Sequence, residues 1–209
     1  MTEDPRDPTS KNGWVKLGYD RRVWIPCPPV FPDGFDRDSW AAGFAQEWWD
    51  GYGMEHSAND VELLKQLLTE IHKSTFERIP CHLAFIHLPD PRLMPMPVFL
   101  GIFESIGEKD ERLRLLTHAD DRGAVEPPIV DKFSTDLLGT GLRVLRYLHT
   151  GDGALYAALN YAWRSEEYDT DVRLWASSED LGRLERATPD IDEFARTMRV
   201  VPKAGLRQV

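Results

Sequence analysis

The side chains best suited to bond-making chemistry are six histidines, His56, His72, His82, His87, His118 and His149, and two cysteines, Cys27 and Cys81. No pair of histidines has the HExxH spacing that puts two imidazoles on one helical face for zinc. His82 and His87 lie five residues apart in an apolar run. In a strand they point to opposite faces and do not share a metal. Cys81-His82 sets a thiol beside a candidate base, but neighbouring strand residues also diverge, whereas nucleophilic catalysis needs the pair within hydrogen-bond reach. The two cysteines form no CxxC motif and read as buried free thiols, with a disulfide between them left open for an oxidising compartment.

Other reactive patterns are equally sparse. No GxSxG elbow surrounds Ser105, Ser134 or Ser165. Leu138-Gly139-Thr140-Gly141-Leu142 contains GxG but lacks the third glycine of a dinucleotide fingerprint and leads into a strand-like run. The paired acids Asp120-Asp121, Glu166-Glu167, Asp169/Asp171 and Asp190/Asp192 fall mostly in turns or at helix starts, where capping and the helix dipole account for them. The sequence therefore assigns no catalytic residue, no metal ligand and no cofactor.

Aromatic density is the distinctive feature. Trp40, Phe44, Trp48, Trp49 and Tyr52 crowd one helix and its end, and adjacent Trp48 and Trp49 do not both face one core wall. Some indole surface is thus expected to be exposed, and tryptophan is enriched at binding hot spots. The loop Leu93-Met94-Pro95-Met96-Pro97 adds an adaptable apolar patch. Trp40, Trp48, Trp49, Tyr52, Met94 and Met96 are the candidate partner-binding residues.

The elements that position these residues follow from pattern. Residues 1–13, polar with two prolines, read as a flexible amino-terminal arm, and residues 14–209 as a single α+β domain. Trp14–Leu17 and Arg22–Ile25 suggest a strand or hairpin. Pro26–Gly34 is an extended connector, because its prolines donate no ladder hydrogen bonds. A helix begins near Asp36 or Asp38 and stops at Gly51-Tyr52-Gly53; a second, capped by Asn59, repeats Val61, Leu64, Leu67, Leu68 and Ile71 at the helical period to Lys73.

Cys81–Leu88 and Val98–Ser105 read as buried strands, Glu108–Thr117 is open between helix and edge strand, and Asp120–Gly123 with Glu126-Pro127-Pro128 marks a surface excursion. Gly141–His149, Ala154–Arg164 and Asp171–Ala176 form an antiparallel meander around Gly151-Asp152-Gly153. Two helices follow, one capped by Ser177 or Ser178 through Arg186 and one opened by Thr188-Pro189-Asp190. The sum is an α+β fold, an antiparallel sheet of five to seven strands with helices packed on its faces.

The stretch Tyr147–Val201, with its turn, its Ala-Leu-Asn-Tyr-Ala-Trp and Arg-Leu-Trp-Ala-Ser strands and its closing Ile-Asp-Glu-Phe-Ala-Arg-Thr-Met-Arg helix, resembles the end of Mog1/PsbP-like domains. The resemblance spans about a quarter of the 209 residues and has no signature residue to carry over. It implies a non-catalytic domain that binds other proteins.

Composition bounds the partners. With 35 acidic against 25 basic residues the formal charge is −10, which disfavours the counterion displacement that nucleic acid binding needs, and likewise anionic membranes. No apolar run approaches the roughly 20 residues that span a bilayer, and the polar start lacks a signal-peptide pattern. A cytoplasmic protein-binding or adaptor module, holding a protein partner or itself, is the first reading. The alternatives are an enzyme or small-molecule binder with a cleft involving His82, His87 or Cys81, and a structural subunit of a larger assembly.

Overall fold

The computed structural model describes residues 13–203. The chain runs β1 (Gly13–Lys16), β2 (Trp24–Cys27), α1 (Arg37–Gly51), α2 (Ala58–Arg78), β3 (Leu83–His87), β4 (Met96–Glu104), α3 (Lys109–Thr117) and β5 (Ile129–Thr135). It continues through β6 (Gly139–His149), β7 (Leu155–Ser165), a short 3-10 turn, β8 (Thr170–Ser178), α4 (Leu181–Arg196) and β9 (Arg199–Pro202). Hydrogen bonding orders seven strands β2-β3-β4-β8-β7-β6-β5 in one sheet and pairs β1 with β9 in another. The fold is α+β with a seven-stranded antiparallel sheet. The arm expected at 1–13 lies, except for Gly13, outside the described residues.

Contacts gather the chain into two compact units, a helical unit of Tyr19–Phe99 and a sheet unit of the residues before and after it. In the helical unit β2 pairs antiparallel with β3, setting Cys27 opposite Ala84. Asp36 caps α1 by accepting from the Ser39 N–H at 2.8 Å. A capping box starts α2, with the Ser57 side chain accepting from Asp60 N–H and the Asp60 carboxylate accepting from Ser57 N–H. The α2 cap is therefore Ser57 rather than Asn59, and the helix continues to Arg78 instead of stopping at Lys73.

In the sheet unit, β5–β6, β6–β7 and β7–β8 pair antiparallel in a meander. Neighbouring residues of β7 face opposite ways. Ala162 packs with Leu113 and Leu116 of α3, whereas Tyr161 donates a 2.6 Å hydrogen bond to Asp192 of α4. The two helices thus cover opposite sheet faces. Phe133, Tyr161 and Trp163 form the aromatic layer on the α4 side, the last two stacked with ring centroids 5.8 Å apart. Gly141 makes room for it: a Cβ there would stand 2.1 Å from the Ala162 carbonyl oxygen and 2.5 Å from the Trp163 indole.

Several elements differ from the sequence reading. Trp14–Leu17 and Arg22–Ile25 do not form a hairpin; β1 pairs with β9 and β2 with β3. Gly13 permits the β1–β9 contact, since a Cβ would lie 2.2 Å from Val200 Cγ1. Residues 108–117 settle as α3, closed by His118 in the left-handed region at φ 56°. Strands β5 and β9 are additional. The two helices expected after β8 are one, α4, running through Pro189. Its apolar stripe of Leu184, Ala187, Ile191 and Phe194 is continuous. The Thr188 hydroxyl donates to the Leu184 carbonyl at 2.9 Å, next to the donor that proline lacks.

Candidate functional site

The tryptophan helix α1 is more deeply packed than its pattern implies. Trp40, Trp48 and Trp49 are 3%, 6% and 6% exposed. The Trp40 indole N–H donates to the Pro26 carbonyl at 3.2 Å, and its ring lies 5.4 Å from that of His72 on α2. Trp48 donates to the Leu88 carbonyl at 2.7 Å. Trp49 turns the other way and stacks on His56 with centroids 5.5 Å apart. The expectation of exposed indole surface is thereby corrected. Inside the helical unit α1 has two apolar neighbours, the β2–β3 strands with their exit loop and α2, so adjacent indoles each find a wall.

The remaining candidates separate. Met96 is buried in β4. Tyr52, half-buried, donates from its hydroxyl to the Arg22 carbonyl at 2.6 Å beside a hollow that it lines with Arg22, Val23 and Trp48. Met94 stays open at 64% exposure. It borders a groove of about 290 Å³ lined by Trp49, Leu63, Leu64, Leu67, Leu93 and Met94. Leu63 is 55% and Leu93 36% exposed. Trp49 brings an indole N–H that is buried without an acceptor. Sequence reasoning missed Leu63, whose signal was its place off the α2 stripe of Leu64 and Leu68, and it took Leu64 and Leu67 as core alone.

Charges at the groove's edge are already engaged. The Asp60 carboxylate accepts from the Ser57 hydroxyl at 2.7 Å, and Ser57 is the main reason its pKa lies below the usual carboxylate range. Arg92 donates to Asp90 twice from its guanidinium and once from its backbone N–H, and holds that carboxyl low as well. What the groove offers is therefore apolar surface within a polar rim.

The reactive candidates sit elsewhere in the helical unit. Cys27 and Cys81 are free thiols. Burial pushes Cys27 up to about 12 and Cys81 up to about 11, so both stay protonated near neutrality, whereas the thiolate is the nucleophile. Cys81 and His82 precede β3 rather than lying in it. His87 is 1% exposed, packed 4.9 Å from the Trp24 ring. Among the described residues no three His, Cys, Asp or Glu side chains gather as a metal set, and no helix is long and apolar enough to cross a membrane.

No family model and no curated protein sequence matches the chain. Among solved structures it is similar to LpqN of Mycobacterium tuberculosis, a protein involved in cell envelope biogenesis. That likeness has a TM-score of 0.50 and 8% identity, covering 96% of this chain and 88% of LpqN. It is also similar to Mog1p, a Ran-binding protein of Saccharomyces cerevisiae, with a TM-score of 0.37 and 12% identity over 63% of this chain and 86% of Mog1p. The LpqN likeness concerns the fold alone.

Proposed function

We propose that the chain is a non-catalytic protein-binding module that takes an apolar segment of a partner protein into the groove beside Trp49. The observation that carries this reading is the ring of exposed Leu63, Leu93 and Met94 around a buried indole. Clustered exposed apolar side chains with a polar rim mark interaction surfaces. Methionine repacks to fit varied partners. The protonated thiols support binding over nucleophilic chemistry, and free cysteines suit a reducing, cytoplasmic compartment. The formal charge of −10 sets the partner apart from nucleic acid.

A photo-crosslinking residue at Met94, introduced in cells of the native organism, tests this. A protein adduct is expected, a second copy of the chain included, and Leu63→Glu should reduce its yield at least tenfold, since a hot-spot loss near 2 kcal/mol weakens affinity about thirtyfold. Both positions are exposed, so folding is retained. Absence of any protein adduct, or an unchanged yield with Leu63→Glu, overturns the proposal.

A further inference from the structure

In the sheet unit, the face of β6, β7 and β8 that carries α3 holds more hydrogen-bond donors than acceptors. Asn160 on β7 stands opposite Val144 and Trp175; Arg146 stands opposite Ala158 and Arg173 opposite Ala162. Cross-strand partners share a face, so Arg146 and Arg173 flank Asn160 diagonally, within reach of long side chains. Arg173 Nη2 donates to Asn160 Oδ1 at 2.8 Å, and its guanidinium lies 4.5 Å over the Trp175 ring. Arg146 Nη1 donates to Asp121. His118 lies close enough to feel both arginines.

Three donors here have no acceptor: Arg146 Nε, Asn160 Nδ2 and Arg173 Nε, all buried. Asn160 is 1% and Arg146 8% exposed. The bond from Arg173 fixes the Asn160 amide, so its N–H₂ group faces away from the carbonyl that is used. Unmet buried donors are costly and uncommon, and three within one cluster are more so. Arg164, on the same sheet face, shows the contrast: Asp171 and the carbonyls of Ile106 and Gly107 take its donors.

Charge is unbalanced in the same sense. Asp121 offsets one arginine and leaves a positive charge uncompensated. Burial, then Arg146, brings Arg173 down to about 10, which leaves it protonated at neutral pH. His118 is held below its usual value first by burial and then by the two arginines, which favours its neutral form. Arg173 is the one of the three that is partly exposed.

We infer that Arg146, Asn160 and Arg173 form a binding site for the oxyanion group, carboxylate or phosphate, of a small molecule. Acceptor oxygens would meet the open Nε–H and Nδ2–H donors, and the ligand's charge would balance the spare arginine. This site belongs to the sheet unit and stands independently of the groove in the helical unit.

The test is titration of the full chain with inorganic phosphate and, separately, acetate at fixed ionic strength, followed by calorimetry and by the His118 ring proton resonances. Saturable binding of one or both below ~10 mM is expected, with a His118 shift that saturates in step. Phosphate alone identifies a phosphate ligand and acetate alone a carboxylate. Arg173→Gln should weaken binding at least tenfold, and Arg173→Lys, which keeps the charge and loses the fork, by a smaller factor. No saturable binding of either anion to the wild-type chain overturns the inference. So does wild-type affinity in whichever of the two variants retains the wild-type circular dichroism spectrum.

Discussion

Replacing Asp171 by alanine should be the most damaging single change in the sheet unit outside its apolar core. The carboxylate is 0% exposed. It accepts from Arg164 Nε at 2.7 Å and Nη2 at 3.0 Å, from Arg112 Nε at 3.3 Å and from the Ser105 hydroxyl at 3.1 Å. Its removal leaves the Arg164 guanidinium, 7% exposed, facing two backbone carbonyls, with Glu166 and Glu108 acting on it only through space.

Breaking a buried ion pair by deleting one partner costs about 3–5 kcal/mol, most of it the stranded charge. For a chain of this size ~4 kcal/mol lowers Tm by roughly 8–16 °C. Arg112 is 21% exposed, and Arg112→Ala should cost only about 1 kcal/mol. Urea unfolding followed by circular dichroism and tryptophan fluorescence measures both costs, and a thermal melt gives the change in Tm. The double variant Arg164→Met/Asp171→Leu supplies the control, because removing both charges together should recover at least half of the loss. An Asp171→Ala cost below about 1.5 kcal/mol, or a double variant as unstable as the single one, would refute the account of a stranded guanidinium.

Gly141→Ala should destabilise by about 3 kcal/mol in the same urea assay, because the new methyl group meets a backbone oxygen that has no room to retreat; a neutral result would mean that β6 and β7 separate freely. His72 is held below its ordinary value of 6.5, first by burial and also by Arg37, against the opposing pull of the Pro28 carbonyl. The unfolded chain therefore takes up the proton first, so stability complete above pH ~6.5 declines as pH falls toward the folded value, and His72→Gln should flatten that slope between pH ~7.5 and ~5.5.

Legibility in the sequence follows how local the determinants are. The period of Trp40, Phe44 and Trp48, and that of Leu64, Leu68 and Ile71, marks α1 and α2, and Gly151-Asp152-Gly153 marks the β6–β7 turn. β5 escapes because it is the sheet's last strand: Phe133 and Thr135 alone are buried, so no apolar alternation shows. β9 is defined by a partner nearly the whole chain away. Pro189 reads as a boundary because the neighbouring Thr188 hydroxyl bond is invisible in a pattern. For the candidate site, Trp49 and Met94 are evident from residue type, whereas Leu63 gains meaning when the loop at 91–94 is seen beside it. Arg146, Asn160 and Arg173 come from three strands, and a slip of one residue in either register would send one of them to the opposite face.

The β1–β9 ladder has a consequence for how the molecule can be handled. Gly13 sits directly across from Pro202, so the outer ends of these strands are a single rung apart. The ladder closes a loop of nearly the whole described chain, at an entropic penalty that grows only with the logarithm of loop length. The same adjacency makes a circular permutant practical: a short peptide bridge across that rung, with new termini opened at the Gly151-Asp152-Gly153 turn, would keep every described strand pairing intact.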